Sequence, residues 1–463
     1  MVHIRKGLYI FRRDFRIVDN RALSETIRNC DEMVLVFIFT PEQIKRTNPY
    51  FSDPCVQFMI ESLKELSNVV DGKVHFFEGD NVQVLDAVRK AYRFDVLGFN
   101  RDYTPYARRR DGAIDDWCER KSVRVLGRET SDYTLHNLEL VCTKTGGWYK
   151  KFTPFYNTAS KLDVSLPSKA KLNINTLYDA TDLFKTMRFY VKKAMLDTYY
   201  KHSEYVIVKG GRQVALRILK NLRAGRFDTY EETRNTMSTN TTLMGAYLKF
   251  GCVSIREAYH AASDNEPLIR ELYWREFYAY VTYHYPRIIE TSSNFDVKVR
   301  IRWRGSEDDF SAWCEGKTGV PIVDAGMRQL LATGWMHNRS RMITASFLIK
   351  HLGVDWRKGE RFFASKLVDY DPCSNNGGWQ WSAGTGVDAQ PYYRIFNPWE
   401  QARKHDPNCV YIKRWIPELR DVSVADILSW DRQYAAAIST EYPKPIVDHS
   451  SARNLAKQAY SRN

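Results

Sequence analysis

The sequence lacks the hallmarks of several common protein classes. Its eight cysteines form no CxxC pair, so their spacing predicts neither a disulfide framework nor a zinc ribbon, and we expect reduced thiols. No HExxH, clustered His/Cys set or GxSxG motif is present, which leaves metal-dependent hydrolysis and serine-esterase chemistry unsupported. No stretch reaches the roughly 18 apolar residues of a membrane helix, and residues 1–6 show no signal-peptide core. We therefore expect an intracellular protein, cytoplasmic or nuclear, that binds neither membrane nor metal.

Two nucleotide-binding patterns also fail. A phosphate loop would need a glycine five positions before Gly316-Lys317-Thr318, and Ser311 stands there. Residues 384–389 fit GxGxxA in letters, but they follow no predicted strand and open no βαβ unit. Neither segment therefore predicts a nucleotide site.

What is present is a long, basic and tryptophan-rich chain. Its 463 residues predict two large domains or several small ones. The balance of 69 basic against 55 acidic residues gives a net charge of +14, which favours a polyanionic partner such as nucleic acid. Ten of the 12 tryptophans follow Glu271. In this arginine-rich context they indicate base stacking or electron transfer, with core packing as the alternative.

The first third of the chain alternates strand-like and helix-like segments. The strand-like segments are Leu8–Phe11, Met33–Phe39, Val74–Phe77, Val96–Phe99 and Val123–Leu126. Such alternation predicts a doubly wound parallel sheet over residues 1–131, with any ligand at the carboxyl ends of its strands. Phe11–Arg16 and Asn100–Pro105 follow two of these strands, so they either line that crevice or form exposed charged loops. Residues 132–205 read as an interdomain linker, and residues 206–463 as a predominantly α-helical domain.

Three clusters in the helical part carry chemical information. On one predicted helix, Glu271, Trp274, Arg275 and Tyr278 share a face, and on a second helix Trp335, Asn338, Arg339 and Met342 do so. The third cluster runs from Asp369 to Trp381, with two acids, two amides and two glycines before paired tryptophans. Each also has a plain structural interpretation: a surface ion pair, a basic packed helix, or a capped turn.

The residues of these clusters form long ordered motifs that resemble the photolyase and cryptochrome family. The motifs are DYDPCSNNGGWQWSAGTGVDAQPYYRIFNP, TGWMHNRSRMITASF, VDWRKGERFF and ELYWREFY, and the likeness runs from FRRDFR to PIVDH. The chain most resembles class I cyclobutane pyrimidine dimer photolyases. The resemblance implies an α/β antenna domain over 1–131, a linker over 132–205, and a helical domain over 206–463 that binds FAD and DNA.

The resemblance also implies a set of FAD contacts. They are Tyr230, Thr241, Thr242, Leu243, Met244, Gly245, Arg275, Asn338, Arg341, Asp369, Asp371 and Asn375. Helix-start amides near Gly245 would hold the pyrophosphate, and Asn375 would face the N5 edge of the flavin. The chain has Met244-Gly245-Ala246 where the family usually has Leu-Ser-Pro, so one hydroxyl contact is missing from the pattern.

On the DNA side, the resemblance implies a cavity that receives a flipped-out cyclobutane pyrimidine dimer. Its DNA contacts would be Arg234, Glu271, Trp274, Arg275, Tyr278, Asn338, Arg339, Trp381, Arg394 and Gln401. Glu271, Asn338 and Met342 would act at the dimer, while Trp303, Trp356 and Trp379 would photoreduce oxidised flavin. The implied reaction is electron donation from excited reduced FAD, ring splitting, and return of the electron.

Several alternatives remain at this level. A (6-4) photolyase would carry histidines in place of Asn338 and Met342, and a cryptochrome photoreceptor would tend to carry Asp or Cys in place of Asn375. A light-independent flavoprotein that binds nucleic acid would leave Glu271 without a purpose. The family's second antenna chromophore is a deazaflavin or methenyltetrahydrofolate; the folate-contact pattern is not matched here, which leaves a deazaflavin, another flavin or an empty site. The family pattern further predicts a monomer that binds UV-damaged DNA.

Overall fold

The computed structural model describes residues 4–127, 132–168, 173–291, 293–295, 299–433 and 441–462. These residues form two compact units. The first unit comprises Met1–Ser203, Val208–Arg226 and Leu243–Pro286, and the second comprises Glu204–Ile207, Phe227–Thr242 and Arg287–Asn463. The limits of these units differ from the predicted domain boundaries. Those boundaries divide the chain by what each part is expected to bind, and they stay a prediction.

The strands of the described residues are numbered along the chain. They are β1 Lys6–Phe11, β2 Glu32–Phe39, β3 Val74–Glu78, β4 Val96–Gly98, β5 Arg124–Leu126, β6 Tyr190–Val191, β7 Val299–Ile301 and β8 Tyr460–Arg462. Strands β1 to β6 form one sheet in the order β5-β4-β1-β2-β3-β6, and β7 pairs with β8.

The α-helices are numbered in the same way. They are α1 Arg21–Arg28, α2 Pro41–Ile44, α3 Asp53–Val69, α4 Asn81–Ala91, α5 Pro105–Arg120, α6 Phe152–Ala159, α7 Thr181–Phe184, α8 Arg212–Arg223, α9 Tyr230–Thr233, α10 Gly245–Lys249, α11 Ile255–Ala261, α12 Glu266–His284, α13 Arg287–Glu290, α14 Glu307–Glu315, α15 Pro321–Thr333, α16 Asn338–Ser346, α17 Trp356–Lys366, α18 Pro372–Ala383, α19 Pro398–His405, α20 Val410–Trp415, α21 Val424–Leu428, α22 Trp430–Gln433 and α23 His449–Ala459. A π-helical turn, Phe347–His351, continues α16, and short 3-10 turns lie at Ile174–Thr176, Lys193–Tyr199 and Pro417–Leu419.

The predicted α/β sheet followed by a helical part is confirmed. Strands β1 to β5 are parallel neighbours, and β2 is buried along almost its whole length, as expected for a parallel strand covered on both faces. The edge strand β6 was not predicted, and it pairs antiparallel with β3. A strand of two residues is too short to show the alternation of apolar and polar side chains by which strands are recognised in a sequence.

Three segments differ from the sequence-based prediction. The supposed linker contains α6, α7 and β6. The apolar spacing of Thr242–Phe250 predicts a helix over that whole segment, but α10 begins only at Gly245 because Leu243 has a φ of 54°, in the left-handed region that interrupts a helix. Asp369–Trp381, which also fitted a capped turn, leads into the full helix α18.

A buried group of charges joins the start of the connector to the rest of the first unit. Both oxygens of Asp132 are paired: Oδ2 accepts from Arg16 at 2.5 Å and Oδ1 from Arg256 at 2.8 Å. Arg256 also donates to Asp19 at 2.9 Å. Burial opposes ionisation of Asp132, but the two guanidinium groups outweigh it and hold its pKa below the usual value. The network thus ties the loop after β1 to α11.

We expect Asp132→Asn to lower the free energy of unfolding by about 3–5 kcal/mol, because it removes the carboxylate paired with the buried Arg16 and one of the two carboxylates paired with the buried Arg256. Urea unfolding followed by circular dichroism measures this loss. Asp182→Asn, which breaks the exposed pair with Lys185, serves as a control and should change little. Equal stability of the two variants would contradict the structural role of Asp132.

Candidate functional site

The third cluster of the sequence is built on α18, whose first turn is fixed by Asp371. The Asp371 carboxylate caps this helix by accepting from the backbone N–H groups of Cys373 at 3.1 Å and Ser374 at 3.0 Å. Pro372 follows at the first helical position, where its missing N–H costs nothing. Asp371, expected to contact FAD, therefore has at least this structural task.

One turn further along α18, Asn375 contacts Glu360 of α17. The Asn375 Nδ2 group donates to the Glu360 backbone oxygen at 3.0 Å and to Glu360 Oε1 at 2.9 Å. Glu360 is 4% exposed. The sequence placed Glu360 in a family motif but assigned it no role, and only the packing of α17 on α18 reveals its partner.

Arg341 and Asp369, both predicted FAD contacts, are paired at 2.9 Å between Nη2 and Oδ2. Arg341 also donates to the Met336 carbonyl oxygen at 2.8 Å. The other oxygen of Asp369, Oδ1, is buried and accepts no hydrogen bond from the described residues. A buried acceptor without a donor is costly. This orphaned oxygen therefore fits a ligand that brings an N–H or O–H group, such as the flavin or ribose of FAD.

Helix α16, which packs on α18, carries Asn338, Arg339 and Met342 of the second predicted cluster. The prediction that Trp335 shares their helix is wrong, because α16 begins only after the capping residue His337. His337 caps it by accepting the Arg339 N–H at Nδ1, 3.1 Å away. Burial and nearby arginines lower the pKa of His337 to about 4, so it is neutral near pH 7. Asn338 lies within 4.0 Å of the Met342 sulfur on one face of the helix. Arg339 donates to Asn235, beside Arg234 in the chain.

Two of the three tryptophans expected to transfer electrons are joined through α17. Trp379 is buried and lies edge-on to Phe363 and Trp313, with centroid distances of 5.0 and 6.1 Å. A Cβ at Gly359 would lie only 2.2 Å from Trp379 Cη2, so the ring rests directly on this glycine. Trp356, fully buried, stands one helical turn before it. Trp303 follows β7 and is partly buried against the same core.

The remaining predicted residues of the second unit are more dispersed. Tyr230 begins α9, Trp381 is half-buried on α18, Arg394 is exposed after that helix, and Gln401 lies on α19 with its Oε1 buried and unpaired among the described residues. Thr241 and Thr242 end one segment of the second unit, whereas Leu243, Met244 and Gly245 belong to the first. Thr241 and Thr242 precede α10 rather than forming part of it.

In the first unit, α12 carries the first predicted cluster on one face. Trp274 stacks on Phe152 at 3.7 Å with the rings 5° apart, and Tyr278 lies 5.8 Å from its centroid. One face of the Trp274 indole is therefore already covered. Arg275 donates to the Tyr133 carbonyl oxygen at 2.8 Å, while Glu271 is partly exposed.

The carboxyl edge of the sheet contains a second polar site. Arg12, which follows β1, is 7% exposed and donates through Nη1 to Asn81 at the start of α4, 2.8 Å away. Its Nε and Nη2 atoms have no hydrogen-bond partner among the described residues. Burial and the nearby Arg110 lower the pKa of Arg12 to about 10. Unpaired buried donors beside a helix start fit an anionic ligand.

At the end of α18, the buried Lys350 reaches three neutral acceptors. It donates to the carbonyl oxygens of Ala383 and Tyr392 at 3.2 and 3.3 Å and contacts the Tyr460 hydroxyl at 2.5 Å. It pairs with no carboxylate in the described part of the chain. Burial therefore lowers its pKa to about 7.

This lowered pKa predicts a pH-dependent stability. Between about pH 7 and pH 10 the unfolded chain binds a proton at Lys350 that the folded protein does not, so unfolding free energy should rise with pH by at most about 1.4 kcal/mol per unit. Lys350→Met should remove this part of the slope, measured by urea unfolding from pH 6 to 10. The exposed Lys404→Met is the control. An unchanged slope in Lys350→Met would show that Lys350 titrates normally.

Among the residues with described positions, no helix is long and apolar enough to cross a membrane. Likewise, no group of three or more His, Cys, Asp or Glu side chains in those residues is arranged to hold a metal ion.

Two family models match separate stretches of the chain. Residues 7–171 match the family model described as DNA photolyase, and residues 268–462 match the FAD binding domain of DNA photolyase. A deoxyribodipyrimidine photo-lyase of Alkalihalophilus pseudofirmus is 34% identical, with 96% of each chain covered. A Sulfolobus tokodaii photolyase crystallised with two FAD molecules is 36% identical, covers 98% of this chain and 99% of its own, and superposes with a TM-score of 0.83. A Synechocystis cryptochrome is 25% identical, covers 99% of this chain and 100% of its own, and superposes with a TM-score of 0.85.

Proposed function

Because this chain belongs to the DNA photolyase family, we propose that it is a deoxyribodipyrimidine photo-lyase whose substrate is the cyclobutane pyrimidine dimer in UV-damaged DNA. Light-dependent DNA repair is the activity that its relatives' name describes, and those relatives match over nearly their full length. The observation that carries the proposal in this chain is the orphaned Asp369 oxygen beside Arg341, set in a matched FAD-binding domain.

Bound FAD, when reduced and excited by light, supplies the electron that splits the cyclobutane ring and takes it back afterwards. The chain's own residues bind and orient the cofactor and the DNA. We assign the flavin to Arg341, Asp369 and Asn375, with Tyr230 and residues 241–245 at its phosphates. Arg341 supplies positive charge, and Asp369 supplies the unpaired acceptor.

At the substrate we assign two functions. Trp274, with one face covered by Phe152, has a single face left for stacking on a base. Glu271, in its protonated form, donates a hydrogen bond to a pyrimidine carbonyl oxygen and so stabilises the negative charge that develops on the dimer. Arg234, Arg275, Tyr278, Asn338, Arg339, Met342, Trp381, Arg394 and Gln401 complete the proposed lesion and DNA contacts.

Trp379, Trp356 and Trp303 are proposed to pass electrons toward oxidised flavin. The seating of the Trp379 ring on Gly359, one turn from Trp356, supports the first step of this path. We further propose that the protein acts as a monomer, in whichever compartment holds the DNA.

Two rival functions make different demands on the same residues. Repair of (6-4) photoproducts calls for a proton donor beside the lesion, and Asn338 and Met342 are not histidines. Photoreceptor function is favoured by the likeness to a cryptochrome, but Asn375 departs from the Asp or Cys typical of plant and insect cryptochromes. The absence of histidine at positions 338 and 342 and the presence of Asn375 therefore both favour dimer repair.

We expect Glu271→Ala to slow light-driven splitting of a thymine dimer about tenfold, since it removes one hydrogen bond to a developing charge, while FAD stays bound. Repair is measured anaerobically with chemically reduced protein on an oligonucleotide that carries one dimer. Glu266→Ala on the same helix is the control and should repair at the wild-type rate. Wild-type repair by Glu271→Ala would remove Glu271 from the reaction, and repair of a (6-4) photoproduct would overturn the substrate assignment.

We also propose that the carboxyl edge of the sheet binds a second chromophore that carries phosphate, such as a flavin nucleotide or deazaflavin. The support is the unpaired Nε and Nη2 of Arg12 beside the start of α4. The Sulfolobus tokodaii photolyase was crystallised with two FAD molecules, which makes FAD the first chromophore to test.

Reconstitution with excess FAD should load the wild-type chain beyond one equivalent, and Arg12→Met should bring the bound amount back to about one. Bound flavin is quantified by absorbance after gel filtration. Arg5→Met, which removes the same charge from an exposed residue just before β1, at the opposite end of that strand from Arg12, should keep the wild-type ratio. If Arg12→Met also retained it, Arg12 would not form the site.

A further inference from the structure

We propose that Glu360 is a positioning residue that fixes the Asn375 amide so that its oxygen, and not its NH2 group, faces the flavin. This inference rests on the proposed function, which places Asn375 at the N5 edge of FAD. It adds a residue to which neither the family motifs nor the comparisons assign a role.

The argument begins with what each atom can do. The Glu360 backbone oxygen can only accept a hydrogen bond, and it lies 3.0 Å from the Asn375 amide. The amide group that faces it must therefore be the NH2. The second hydrogen of that group is taken by Glu360 Oε1 at 2.9 Å. A flipped amide would place three oxygens against one another and remove both of these hydrogen bonds.

The surrounding packing holds the Glu360 and Asn375 side chains in position against each other. Glu360 is 4% exposed, and the residue before it, Gly359, carries the Trp379 ring directly on its backbone. On the other helix, the Asn375 backbone N–H donates to the Asp371 carbonyl oxygen at 2.9 Å. Both ends of the Glu360–Asn375 contact are thus held by neighbouring groups of α17 and α18.

With both amide hydrogens used, Asn375 offers only an acceptor. Both hydrogen bonds of this side chain within the described residues are made by Nδ2, and none by Oδ1. Reduced flavin carries a hydrogen on N5, whereas N5 of oxidised flavin is itself an acceptor. An amide held in this orientation therefore stabilises the reduced cofactor, the form that the reaction requires, and offers no donor to the oxidised one.

The test is the redox equilibrium of bound FAD, followed by absorbance against a reference dye in the dark. Glu360→Leu keeps the backbone acceptor but removes the side-chain acceptor, and we expect it to shift the equilibrium roughly fivefold toward oxidised FAD, the size of one net hydrogen bond. Glu360→Gln retains an acceptor oxygen and should stay near wild type. If Glu360→Leu does not yield folded protein, Glu360→Met makes the same change with an unbranched side chain.

Asn375→Leu separates the two levels of the inference. If it and Glu360→Leu both shift the equilibrium, and Glu360→Gln does not, the positioning role stands. If Asn375→Leu shifts the equilibrium and Glu360→Leu leaves it at the wild-type value, the positioning role of Glu360 is overturned while Asn375 keeps its place at the flavin. If FAD binds to both Leu variants at the wild-type equilibrium, the placement of Asn375 is wrong and the inference falls with it.

Discussion

The contact between α17 and α18 is the constraint on which the candidate FAD site depends. Within a few residues it seats the Trp379 ring on Gly359 and pairs the Asn375 amide with Glu360. A side chain at Gly359 would clash with the ring and separate the helices. Because tight packing tolerates few alternatives, one interface fixes both the orientation of a polar cofactor contact and the start of a tryptophan path.

Elsewhere in the chain, buried polar atoms differ in whether they have hydrogen-bond partners within the described residues. Asp132 has a partner at each oxygen and holds the first unit together. By contrast, Asp369 Oδ1 and two nitrogens of Arg12 are buried without a partner among the described residues. Native proteins seldom leave such atoms unpaired. These two groups are among several with unpaired buried atoms in the described residues, and both lie where ligands are proposed to bind, Asp369 in the second unit and Arg12 at the sheet edge of the first.

Much of this could be predicted from the sequence, and the parts that could not have physical reasons. Strands β1 to β5 fall in strand-like segments of four or more residues that alternate with helical patterns, so they were correctly placed, whereas β6 has only two residues. The predicted start of α10 was wrong because the apolar pattern does not reveal the left-handed backbone conformation of Leu243. The motifs pointed to Asn375, Arg341 and Trp379 through family resemblance. Glu360 and Lys350 gained significance only from their partners, because contacts between distant segments have no local signal.

The most direct test of the whole account is anaerobic repair of a thymine cyclobutane dimer in an oligonucleotide by the purified, chemically reduced protein, under blue or near-UV light and in the dark. The account predicts that intact thymines return in the light, do so in proportion to bound reduced FAD, and do not return in the dark. Absence of repair in the light from protein that holds fully reduced FAD would contradict it and favour a photoreceptor instead.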